Sequence, residues 1–183
     1  MAEITTDIID QNNIFIFMEQ FENKTVKPVI EWILRKNLLP NKDRPKNLTL
    51  VVNSPGGEVA AGFALIDTMK GSKIPIHTVG LGMIASCGLM TFMAGEKGHR
   101  IITPNTIIMS HQYTSGAYGK EHELFARVKH FELVSERIMD LYRKCTNQND
   151  TIIRKFLLPA EDVFLDAKQA VKYGVADQVK AVY

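Results

Sequence analysis

Leu48-Thr49-Leu50-Val51-Val52-Asn53-Ser54-Pro55-Gly56-Gly57 is a β-prone apolar run that stops at a Pro-Gly-Gly turn. Its first five residues do not alternate apolar with polar, which predicts a strand buried on both faces. A helix-prone stretch follows over residues 58–70, with Gly71 as its stop. Strand, glycine turn and helix in that order form the repeating unit of an α/β sheet.

The alternation continues in both directions. Upstream, Ile14-Phe15-Ile16-Phe17-Met18 reads as another strand. Behind Thr25, a candidate helix cap, Val26, Val29, Ile30, Ile33, Leu34 and Leu38 recur at helical spacing. Residues 40–47 form a polar connection. Downstream, the pattern predicts a strand over 74–81, a helix over 86–94 and short strands over 100–103 and 106–109. Residues 120–145 read as one long amphipathic helix, with Leu124, Val128, Phe131, Ile138, Leu141 and Tyr142 on one stripe. That is more helix than a compact domain of this size needs, which points to a segment packing against a partner. A short helix reaches Leu158-Pro159, Asp166 caps a helix over 167–173, Gly174 ends it, and 175–179 is a last strand. The fold class expected is α/β, in one domain spanning 1–183.

Composition excludes several functions. The formal net charge of +2 argues against a nucleic-acid partner. Lys42, Arg44 and Lys46 cluster, but Asn41, Asp43 and Pro45 interleave them as in a solvated loop. No apolar stretch approaches the roughly 20 residues that span a bilayer. Residues 1–7 carry no basic segment followed by an apolar one, so no secretory signal is expected. Two cysteines, Cys87 and Cys145, give neither a disulfide framework nor a metal knuckle, so a reducing, cytoplasmic setting is expected.

Two turns carry potential chemistry. At Asn53-Ser54-Pro55-Gly56-Gly57 the glycines can expose backbone N–H groups near a helix start, where an oxyanion is stabilised; a plain tight turn uses the same residues. At Gly82-Met83-Ile84-Ala85-Ser86-Cys87-Gly88 the pattern puts Ser86 in the first helical turn, as a cap or as a nucleophile. Cys87 adjoins it, but neighbours entering a helix point in different directions. Cys87 therefore reads as a small buried residue that offers its N–H rather than its sulfur.

A serine nucleophile needs a base. Of five histidines, His77 and His99 have no partner suggested by the sequence, and His122 and His130 lie on the long helix. His111 ends an apolar strand, at the edge where open α/β sheets place their sites. No two histidines have zinc-binding helical spacing, so no metal is expected. Asp162, just before Val163-Phe164-Leu165, is either a turn residue or the acid that orients an imidazole. These residues alone reach a possible Ser/His/Asp hydrolase.

Taken in order, the segments resemble the ClpP family, the proteolytic subunits of Clp ATP-dependent proteases. Residues 53–57 are similar to its oxyanion loop and residues 82–86 to its nucleophile segment. Pro104-Asn105 with residues 108–112 is similar to its histidine segment. Phe164-Leu165-Asp166-Ala167, Ala170-Val171, Tyr173-Gly174 and Asp177 follow its C-terminal pattern. The resemblance runs over about 48–179. It implies a ClpP/crotonase-like αβ superhelix with a head and a protruding handle helix at about 120–145. It implies Ser86 as nucleophile, His111 as general base and then acid, and Asp162 as its orienting acid. The N–H groups of Gly57 and Cys87 would form the oxyanion hole, and Gly56, Gly57, Glu58, Val59, Ser115 and Gly116 would bind an extended substrate. It further implies a homo-oligomer of heptameric rings, single or double, fed by an AAA+ unfoldase. The subunit itself would use no cofactor, since ATP is consumed by the unfoldase.

Three positions depart from the family pattern. Residues 1–13 replace its usual start, Ala160-Glu161 stand where an Asp-Arg pair often precedes the catalytic acid, and Tyr113 replaces a proline. These suggest a divergent member, one that can co-assemble with a standard ClpP. An active endopeptidase is the favoured expectation. The alternatives are a non-catalytic or regulatory ring subunit and a crotonase-type acyl-CoA enzyme, the latter needing no Ser/His/Asp set.

Overall fold

A computed structural model describes residues 9–181. Residues 1–8, which carry most of the divergent start and the leader expectation, lie outside it. Among the described residues seven strands form one sheet. They are β1 (Ile14–Phe17), β2 (Leu48–Ser54), β3 (Ile76–Ala85), β4 (Arg100–Ile102), β5 (Ile107–Ser110), β6 (Val163–Leu165) and β7 (Gln178–Val179). The main path runs β1-β2-β3-β4-β7, all parallel. Parallel neighbours need crossover connections, and α1 (Asn23–Leu38), α2 (Val59–Lys70) and α3 (Cys87–Met93) supply three of them. The α/β expectation is met.

β3 is longer than its apolar run predicts, and its length shapes the site. Residues 78–80 pair with β4, whereas 83–85 pair with β5. The sheet therefore splits at Gly82, which has φ +59. A Cβ there would stand 2.9 Å from the Asn53 side-chain oxygen, which accepts the Met83 N–H at 3.1 Å. Among the described strands only β6 runs antiparallel, along β5. The core gathers Leu48, Leu50 and Val52 of β2 with Leu65 of α2, Leu89 and Phe92 of α3 and Tyr142 of the long helix.

That helix, α4 (Glu121–Thr146), matches the expected span. Its predicted stripe holds only in part. Val134, Ile138, Met139, Leu141, Tyr142 and Cys145 are buried, but Leu124, Phe125 and Val128 are exposed. Every residue from 121 to 130 is exposed. At the far end Arg143 donates to both carboxylate oxygens of Asp150, at 2.7 and 2.9 Å. This ties α4 to the short α5 (Asp150–Ile152) and the wide turn Ile153–Leu157.

Several local expectations are corrected. Thr25 is not the cap of α1: Glu22 is, and Thr25 sits at the third helical position, accepting the Glu22 N–H at 3.0 Å. The last strand shrinks to β7, because Val175 and Ala176 turn back to the Ala170 carbonyl behind α6 (Ala167–Lys172). Asp166 does cap α6, accepting the Gln169 N–H at 2.7 Å. His77 and His99 are partners after all, stacked 3.9 Å apart with rings 1° from parallel. Burial and the adjacent His99 hold the His77 imidazole below its ordinary pKa.

Candidate active site

The register of β3 against β5 builds the site. Met83, Ile84 and Ala85 pair with Ile107, Ile108 and Met109, so Ser86 and His111 emerge at neighbouring strand ends. The Ser86 N–H donates to the Met109 carbonyl at 3.1 Å. Ser86 Oγ lies 2.8 Å from His111 Nε2, within reach for proton transfer.

Ser86 is not inside the helix, as its sequence context predicts, but at the cap position before α3. Its side chain makes no capping hydrogen bond. Its backbone has φ +52 and ψ −120, a conformation that costs a non-glycine residue roughly 1–3 kcal/mol. This sharp strand-to-helix turn aims the hydroxyl at His111 instead of at the helix. Gly56 makes the turn possible, since a Cβ there would lie 2.6 Å from Ser86 Cβ.

Gly57 and Cys87 flank the hydroxyl. Phe21 takes up one edge of the turn, donating to the Gly56 carbonyl and accepting the Glu58 N–H, each at 2.8 Å. Backbone groups alternate sides along an extended chain, so Gly57 turns its N–H to the opposite edge. Cys87 opens α3, where an N–H has no partner within the helix. No oxygen among the described residues accepts from either N–H. Two unclaimed donors beside a serine are suited to a developing oxyanion.

The Cys87 sulfur is placed as its neighbourhood suggests. It is fully buried, and its thiol donates to the Gly57 carbonyl at 3.4 Å. Burial pushes the thiol up to about 11, so it stays protonated near neutrality. Cys87→Ala is expected to keep hydrolysis within about tenfold, since alanine retains the N–H, and to cost about 1–2 kcal/mol of stability. Peptidase assays and urea unfolding check this; an activity that vanishes with the sulfur would move the chemistry to Cys87.

Asp162 arrives through the antiparallel pair. Val163 faces Ser110, which sets Asp162 opposite His111. Its carboxylate stops 3.7 Å from His111 Nδ1, too long for a hydrogen bond, and its side chain is 61% exposed. The sequence reading missed a nearer neighbour: Thr114 Oγ1 is 3.4 Å from the same nitrogen. It also missed the anchors of the histidine segment. Ser110 Oγ and the Tyr142 hydroxyl are 2.6 Å apart, and the Gln112 amide donates to the Leu158 carbonyl at 3.1 Å.

A cleft of about 90 Å³ adjoins Ser86, with Met90, Ile138 and Tyr142 among its apolar lining. Glu58 and Val59 follow the turn at the start of α2, while Ser115 and Gly116 lie on an exposed coil. Among the described residues no three His, Cys, Asp or Glu side chains gather as a metal requires. No described helix is long and apolar enough to cross a membrane.

A model of the Clp protease family matches residues 1–182. The ATP-dependent Clp protease proteolytic subunit of Deinococcus radiodurans is 38% identical over 143 residues, covering 78% of this chain and 69% of that protein.

Proposed function

The chain belongs to the Clp protease family, and on that premise we propose that it is a serine endopeptidase subunit with Ser86, His111 and Asp162 as its triad. The observation that carries this is the 2.8 Å contact between Ser86 Oγ and His111 Nε2, next to two N–H groups without acceptors. His111 Nε2 takes the Ser86 proton as Oγ attacks the peptide carbonyl. Negative charge on the carbonyl oxygen is met by the N–H groups of Gly57 and Cys87, and the protonated imidazole then hands its proton to the leaving amine. Water repeats the sequence to release the acyl group. Asp162 keeps the imidazolium favourable from the far side of the ring.

The apolar floor of the cleft favours a hydrophobic side chain just before the scissile bond. Gly56, Gly57, Glu58 and Val59 line one side of an extended substrate and Ser115 and Gly116 the other. Exposed apolar residues on residues 121–130 of α4 suit a handle that meets a second ring. Assembly into heptameric rings, feeding by an AAA+ unfoldase and a cytoplasmic setting complete the proposal. An enclosed chamber explains how an unselective peptidase spares folded proteins.

The loose, exposed Asp162 favours one alternative, a regulatory subunit that co-assembles with another ClpP. Labelling of the assembled protein by a fluorophosphonate decides between them. Covalent labelling supports the peptidase. An assembled but unreactive chain that changes the native mass of a standard ClpP ring supports the regulatory subunit.

A further inference from the structure

We infer that Thr114 is a positioning residue, whose hydroxyl helps Asp162 to hold the hydrogen of His111 on Nδ1. The inference rests on the peptidase reading of the same site. It starts from the mismatch at Nδ1: the Asp162 carboxylate is 3.7 Å away and largely solvated, whereas Thr114 Oγ1 is 3.4 Å away.

The direction of that hydrogen bond follows from counting protons. A threonine hydroxyl has one proton to donate and lone pairs to accept with. Thr114 Oγ1 donates to the Gln112 carbonyl at 3.3 Å, and a carbonyl only accepts. With its proton so placed, the hydroxyl meets His111 as an acceptor, and Nδ1 carries the hydrogen. A neutral imidazole with hydrogen on Nδ1 has a bare Nε2, the nitrogen 2.8 Å from Ser86 Oγ. In that arrangement the chain Gln112 carbonyl, Thr114 hydroxyl, His111, Ser86 readies Nε2 to take the serine proton.

The backbone supports this placement. Gln112 is itself anchored by its amide to Leu158, so the carbonyl that receives the Thr114 proton is held in place. Thr114 and His111 also line the same cleft beside Ser86. A hydroxyl cannot neutralise an imidazolium as a carboxylate does, so the two residues overlap only in part. Both favour the reactive tautomer before attack, and Asp162 also favours the charged ring afterwards.

The test compares Thr114→Val, nearly the same shape without the hydroxyl, with Thr114→Ser, which keeps it. Thr114→Val is expected to lower kcat by about tenfold with KM unchanged, the signature of a group acting in the transition state, and Thr114→Ser to recover most of it. Thr114→Val combined with Asp162→Ala is expected to lose more than the product of the single losses, because each covers in part for the other at Nδ1. Nitrogen-15 spectra of histidine-labelled protein, assigned with His111→Gln, report the tautomer without needing activity. Nδ1 should stay protonated in Asp162→Ala and lose its hydrogen to Nε2 in the double variant. Equal kcat for the wild type, the valine and the serine variants, or an unchanged tautomer in the double variant, overturns the inference. If the wild type shows no peptidase activity, the functional reading fails on its own, and the spectra still decide the role of Thr114.

Discussion

Ser86→Ala is expected to abolish fluorophosphonate labelling and to lower peptide hydrolysis by about 10⁴- to 10⁶-fold, leaving the native mass unchanged. The size follows from geometry. Ser86 Oγ is the hydroxyl within 2.8 Å of His111 Nε2, and the neighbouring thiol is buried and protonated near neutrality. Among the described residues no second nucleophile stands beside His111 Nε2 to replace it. The substitution leaves the backbone of the turn in place, because Gly56 already clears the space and the Ser86 N–H remains tied to Met109. What survives is the cleft beside Ser86 and the two N–H groups without acceptors, enough on the proposed mechanism for a small residual rate over water. Titration with the probe, read beside native mass, makes the check. Label retained in the alanine variant would place the nucleophile elsewhere.

The largest expected effect on stability lies away from the site. Arg100 is 2% exposed, yet it carries a full charge into the core. Its Nε and Nη2 donate to the two oxygens of Asp177 at 2.8 and 2.6 Å, and its Nη1 donates to the Cys145 carbonyl at 2.9 Å. Asp177 also accepts the N–H groups of Gly98 and Arg100. One guanidinium thus joins β4, the entry to β7 and the end of α4. Arg100→Met removes one partner and leaves a part-buried carboxylate, which should cost about 3–5 kcal/mol.

A pH dependence goes with it. Burial pushes the Asp177 carboxyl up, but hydrogen bonds from the Arg100 guanidinium and from the Arg100 and Gly98 N–H groups outweigh this and hold its pKa below the ordinary aspartate value. A carboxylate lowered by folding stabilises the protein above its unfolded pKa of about 4, and that stabilisation disappears as pH falls through the folded value. Asp177→Asn should flatten this acid limb. Urea unfolding at pH 7 and pH 3, at one fixed protein concentration, measures both effects. A loss below about 1 kcal/mol in Arg100→Met would mean the network is not coupled to folding.

Local pattern reached much of this fold because its strands are apolar runs closed by glycine turns, as at residues 48–57. Ser86 and His111 were legible for the same reason, since each sits where such a run stops. What stayed hidden depends on pairing between distant segments. The stack of His77 on His99 follows from the register of β3 against the entry to β4, which no local pattern contains. The reach of Asp162 depends on β6 running antiparallel along β5, and the approach of Thr114 on a coil without periodicity. Thr25 misled because the start of α1 inverts the usual order of a capping box, with the acid first and the hydroxyl three residues later. Ser86 looked like a cap because sequence carries the preference of serine for that position but not the closeness of Gly56 that bends the chain there.

The exposed first half of α4 has a consequence for how order is distributed along the chain. Ten consecutive residues, 121–130, extend about 15 Å of helix with no side chain buried. An isolated helix of that length is marginal in water, and its hydrogen bonds hold only as long as the packed half nucleates them. Amide exchange should therefore be slow from Val134 onward and quicken step by step toward Glu121 in dilute protein. If another copy covers this stretch, the boundary between slow and fast amides moves toward Glu121 as concentration rises. The helix would then act as a gauge of its own association, and exchange that is uniform along α4 at every concentration would refute that view.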